Sequence, residues 1–144
     1  MQRDQSRQEA RGPRRLDLHL PPAPEEIRGA RDALRTLGAP QRLLDDAKLL
    51  LTELLTNSLR HSNIPPGETI RVRAQWSGSS LRVSVHDGLR MGIPPQVGGE
   101  VPPSATGTSG WGFFLVDRIA DRWGADEEDG YWFELEGSSD GGRR

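Results

Sequence analysis

Apolar residues at 43, 44, 47, 50, 51, 54, 55 and 59 recur at intervals of three and four, which predicts a long helix from Pro40 to about His61 burying one stripe. A shorter helix is predicted over Glu25 to Leu37, with acids in its opening turn, apolar residues at 27, 30, 34 and 37, and Gly38 as its stop. Strict alternation marks Leu16 to Leu20 as a strand, ended by Pro21 and Pro22. Two further alternating runs each have one apolar face, Ile70, Val72, Ala74 and Trp76 in the first and Leu81, Val83 and Val85 in the second. The Ser77-Gly78-Ser79-Ser80 turn joins them into a hairpin. A Pro- and Gly-rich loop from Leu89 to Gly110, a helix over about Trp111 to Arg122 and a strand over Tyr131 to Leu135 complete the pattern. This order predicts an α/β (α+β) two-layer sandwich, with helices on one face of a mostly antiparallel sheet. The expected organisation is a flexible basic arm over 1–15, one domain over 16–136 and a polar tail over 137–144.

Charge and composition narrow the classes of partner. Of the 144 residues, 19 are Lys or Arg and 21 are Asp or Glu, so a formal charge of -2 offers no global attraction to a polyanion, and direct nucleic-acid binding is not expected. There is no cysteine, which removes disulfide frameworks and thiolate metal sites. The longest apolar runs fall far short of the roughly 20 residues of a spanning helix, and the first residues lack a signal-peptide core. A cytoplasmic protein without membrane attachment is expected.

Three groups of residues carry candidate chemistry. The long helix puts Glu53, Asn57 and His61 four apart, with Arg60 beside them. A magnesium ion that bridges phosphates keeps most of its waters and takes few protein oxygens, so the carbonyl of Asn57 can suffice. Arg60 suits a phosphate oxygen, and Glu53 can orient or deprotonate a nucleophile. The plainer alternative makes Glu53 and Arg60 surface charges, Asn57 a tolerated polar residue and His61 a helix cap. The second group is Val83 to Gly88, a strand that ends in a carboxylate; Asp87 can accept a hydrogen bond from an exocyclic amine such as that of adenine, although Asp-Gly is also an ordinary turn. The third is Gly107-Thr108-Ser109-Gly110-Trp111-Gly112, a glycine-rich entry to a helix where free N–H groups favour phosphate. It is neither a Walker loop nor a dinucleotide fingerprint.

Taken in order, these groups resemble the Bergerat ATP-binding fold shared by sensor histidine kinases, type II topoisomerases and a heat-shock chaperone. More narrowly they are similar to the anti-sigma regulatory factors, bacterial serine/threonine kinases that sequester a sigma factor and phosphorylate an anti-anti-sigma partner. The resemblance runs from Leu16 to Leu135. It rests on Glu53-Leu54-x-x-Asn57-Ser58-x-Arg60-His61, Asp87-Gly88, Gly110-Trp111-Gly112-Phe113-x-Leu115-Val116, Ala120 to Gly124 and Trp132 to Leu135.

The resemblance implies ATP and Mg2+ as cofactors, with Asn57 as the metal holder, Glu53 as the base and Asp87 as the reader of the adenine amine. Arg60, His61, Gly88, Gly92, Gly107, Thr108, Ser109, Gly110, Trp111, Gly112 and Phe113 are implied around the nucleotide, and 89–106 forms the lid. Leu89 stands where the family usually has a glycine, and Trp111 and Phe113 stand where a small or basic residue and a leucine are more usual. The implied activity is transfer of a phosphoryl group to a Ser or Thr of an anti-anti-sigma (STAS-like) protein, coupled to sequestration of a sigma factor and hence to transcription regulation. A homodimer is implied on the same ground. The competing readings are a non-catalytic ATP-binding interaction module and a structural domain that binds no nucleotide.

Overall fold

The computed structural model describes residues 14–61, 64–88 and 110–137. In chain order its elements are β1 (Arg14–Leu20), α1 (Glu26–Ala33), a short 3-10 helix (Leu34–Leu37), α2 (Gln41–His61), β2 (Ile70–Trp76), β3 (Ser80–His86), α3 (Gly110–Ile119), β4 (Arg122–Asp126) and β5 (Gly130–Glu136). The strands form one sheet in the order β1-β2-β3-β5-β4, and every neighbouring pair is antiparallel. The expected α+β architecture holds.

Alternation along the strands sorts the sheet into two faces. Ile70, Val72, Ala74, Leu81, Val83, Val85, Trp123, Tyr131, Phe133 and Leu135 are buried in one cluster with Leu43, Leu44, Ala47, Leu50, Leu51, Leu54 and Leu55 of α2. The opposite face carries charges joined across strands. Arg71 forks Asp17, while Arg73 and Arg82 share Asp129, and Arg82 also reaches Glu134 and lies over the Trp132 ring. Hydrophobic burial therefore sets which face the helices cover, and cross-strand ion pairs occupy the other.

Three boundaries differ from the sequence reading. β1 begins at Arg14, two residues before the predicted Leu16, because Arg14 and Arg15 pair with Trp76 and Gln75. The helix predicted over 25–37 is α only to Ala33 and tightens into the 3-10 turn before Gly38. The helix predicted to Arg122 stops at Ile119, and residues 122–126 form β4, a strand the pattern did not reveal. Asp121 makes the break: its N–H donates to the Glu134 carbonyl, and its carboxylate accepts from the Glu136 N–H. The remainder of the predicted arm and tail and the predicted lid, 89–106, lie outside the described residues. Among the described residues no helix is long and apolar enough to cross a membrane.

Candidate functional site

The apolar stripe of α2 ends in polar residues that remain buried. Asn57 follows Leu50 by seven positions and Leu54 by three, while Ser58 follows Leu51 by seven and Leu54 by four, so both continue the core face. Asn57 is 4% exposed and Ser58 1%. Glu53 is half-buried and Arg60 is exposed, so the four-residue spacing does not put these groups in one environment as expected. The side chain of His61, the last residue of α2, lies outside the described part.

Asp87 reaches the same place from the sheet. Leu81, Val83 and Val85 point to the helices, and the period of two carries Asp87 onto that side just beyond β3. Its carboxylate is 4% exposed, and Oδ2 accepts a hydrogen bond from Ser58 Oγ at 2.7 Å, across 29 residues of chain. Ser58 stands in the motif, but the sequence alone assigns it no role. A small hydroxyl standing in a leucine stripe was the available signal.

The carboxamide of Asn57 adds a second feature. Its Nδ2 is buried and has no hydrogen-bond partner among the described residues. A buried donor left unmet costs roughly 1–3 kcal/mol, and such groups in native folds commonly await a ligand or an ion. The donor suits a phosphate oxygen; with the carboxamide turned over, Oδ1 is offered to a cation.

Tyr131 is a further buried group beside Asp87 that the pattern did not single out. It lies on β5 opposite Val85 and is 2% exposed. Burial, and then the negative charge of Asp87, push its phenol up to about 12. The unfolded chain releases this proton near pH 10. Stability contributed by the buried neutral phenol is therefore intact below pH 10 and declines as pH rises from 10 through 12. Because this is the only tyrosine in the sequence, an ultraviolet titration reads it directly. A midpoint near 12 in the folded protein and near 10 in denaturant is expected, and Tyr131→Phe should flatten that part of the stability profile.

The end of β3 is fastened to the β4–β5 turn. The imidazole of His86 accepts from the Gly88 N–H at 3.0 Å through Nδ1, and its Nε2 lies 2.8 Å from the Glu127 carbonyl. Arg73 and Arg82 hold the turn through Asp129. A cavity of about 360 Å³ opens here, lined by residues including His19, Ile64, Glu68, Asp87 and Gly88. A second concavity of about 340 Å³ lies on the ion-paired face and includes neither Asn57 nor Asp87. Asn57 lines neither cavity.

Gly110 is the first residue of α3, as the glycine-rich helix entry predicts, and α3 packs against α2. Trp111, Gly112 and Phe113 lie in its first turns, and their side chains fall outside the described part. Gly92, Gly107, Thr108 and Ser109 lie outside the described residues altogether. The fold thus brings together Ser58, Asp87 and Tyr131, with the buried Asn57 next to Ser58 on α2, and places α3 beside that helix.

Residues 20–131, well over half of the chain, match the family model of the histidine kinase-like ATPase domain. The chain belongs to this family. No curated protein matches it. For a histidine kinase-like ATPase domain the expected ligand is ATP. The matched span takes in α2, the end of β3 and the start of α3, the three places where the sequence reading located the nucleotide contacts.

Proposed function

We propose that this ATPase domain binds ATP with a magnesium ion and passes the terminal phosphoryl group to a Ser or Thr of an anti-anti-sigma-like protein, its hold on a sigma factor depending on that exchange. The observation that carries the reading is a buried Asp87 fixed by Ser58, whose neighbour on α2, Asn57, is itself buried with an unmet amide donor. Asp87 would accept from the exocyclic amine of adenine. Asn57 would hold the magnesium ion, which supplies charge neutralisation for the phosphates. Among the described residues no group of three or more His, Asp or Glu side chains is placed to hold a metal. The ion's remaining ligands on this reading are phosphate oxygens and water.

Glu53, half-buried one turn before Asn57, is the base of this proposal. In the transfer the partner's hydroxyl oxygen bonds to the terminal phosphorus, the bond from that phosphorus to the bridging oxygen breaks, ADP leaves, and the hydroxyl proton passes to Glu53. Positioning accounts for most of the rate in such reactions, so one base and one metal holder are enough. The test is incubation with terminally labelled ATP and a STAS-like protein. Label should appear on the partner, and Glu53→Gln should cut the transfer rate by about 10²-fold or more while leaving ATP affinity within a few-fold. Binding of ATP without any transfer to partner candidates would instead favour a non-catalytic interaction module.

A further inference from the structure

Both ring nitrogens of His86 are committed. Gly88 N–H points at Nδ1, so Nδ1 carries no proton; the proton must be on Nε2, where it is donated to the Glu127 carbonyl. The ring thereby closes the chain around Asp87 on one side and ties it to the β4–β5 turn on the other. Gly88 has φ +84°, a conformation that a side chain would resist, and in that turn its N–H is directed onto the His86 ring.

We propose that His86 is the positioning residue for the Asp87 carboxylate, acting only in its neutral Nε2–H form, so that a second proton on the ring loosens nucleotide binding. This rests on the reading of Asp87 as the adenine contact. An imidazolium has no lone pair at Nδ1, so the Gly88 N–H would face another N–H, and the turn holding Asp87 would open. The Glu127 bond survives, since Nε2 remains a donor. The strand end thus stays attached to the hairpin while only the Asp87 turn is released.

Across the sheet the residue opposite His86 is Arg71, whose guanidinium is engaged by Asp17. From β1 comes His19, from the approach to β2 Glu68, from the β4–β5 turn Glu127, Glu128 and Asp129, the last paired with Arg73 and Arg82, and from its own strand end Asp87.

The experiment is calorimetric titration of the full chain with Mg-ATP at about pH 8 and about pH 5.5, the span over which histidine changes charge. Wild-type protein, His86→Asn, His86→Phe and His19→Asn are compared. Asparagine can accept the Gly88 N–H through Oδ1 but cannot take up a proton. His86→Asn should therefore match the wild type at the higher pH and stay flat, while the wild type weakens by about fivefold or more relative to it, the worth of one hydrogen bond. His86→Phe should bind weakly at both values, and His19→Asn should keep the wild-type slope. Titration of the nucleotide's own phosphates is common to all four and cancels in the ratios.

Equal slopes for wild type and His86→Asn would overturn the proposal. If the wild type binds no nucleotide at either pH, the ATP reading fails instead. The latch is then judged in nucleotide-free protein by nitrogen NMR: the Gly88 amide should shift together with protonation of the His86 ring, and a Gly88 signal indifferent to it overturns the proposal on its own.

Discussion

Replacing Asn57 by leucine should weaken Mg-ATP binding by about 10- to 100-fold while leaving the nucleotide-free protein as stable as before or more so. The two signs follow from one fact. Asn57 is 4% exposed, sits in a leucine stripe, and has an amide donor that no described residue satisfies. In the free protein that donor costs roughly 1–3 kcal/mol, and leucine, of similar size and wholly apolar, removes the cost. On the proposed reading the carboxamide meets a charged phosphate or its metal when nucleotide is bound, an interaction worth roughly 1.5–3 kcal/mol, or about one to two decades in affinity. Denaturant unfolding without nucleotide and calorimetric titration with Mg-ATP measure the two effects separately. A loss of stability with affinity intact would make Asn57 a structural residue and would remove the central support for the proposed site.

Much of this site was legible before any coordinates, because it is built from two simple periods. Counting by two along Leu81, Val83 and Val85 carries Asp87 to the helix side of the sheet, and counting by three and four along α2 carries Asn57 into the core. The same helical count separates Asn57 from Arg60, a distinction that the motif reading had blurred. The role of Ser58 was hidden because serine is small and common, and only its place in a leucine stripe set it apart.

What stayed illegible depended on contacts between distant parts of the chain. Tyr131 approaches Asp87 because β5 inserts between β3 and β4, and no local pattern encodes that order. β4 has one large buried side chain, Trp123, and a glycine among its five residues, too little for an alternation to register. The helix before it ends because Asp121 finds better partners on β5 than in the next helical turn. In each case tertiary hydrogen bonding overrode a local preference, and the polar motifs, which report on chemistry, carried no information about it.

The position where fold and site are most tightly joined is Gly130, and Gly130→Ala should destabilise the protein by about 3 kcal/mol or more. Gly130 begins β5 at φ +78°, where a residue with a Cβ is strained by roughly 1–2 kcal/mol. Space adds to the strain. A Cβ there would lie 2.7 Å from the His86 Cα and closer still to the Val85 carbonyl oxygen, and both belong to backbone that cannot rotate away. Forced overpacking of this kind costs roughly 1–3 kcal/mol. For a chain of this size the melting temperature should fall by about 6–12 °C. The backbone that must yield is the end of β3 immediately before Asp87, so nucleotide affinity should fall as well, even at temperatures where the variant is folded. Asn57→Leu separates affinity from stability; Gly130→Ala should lower both. A folded Gly130→Ala protein with unaltered melting and unaltered Mg-ATP affinity would mean that the β3 end is free to shift without moving Asp87, contrary to the fastening through His86 and the β4–β5 turn.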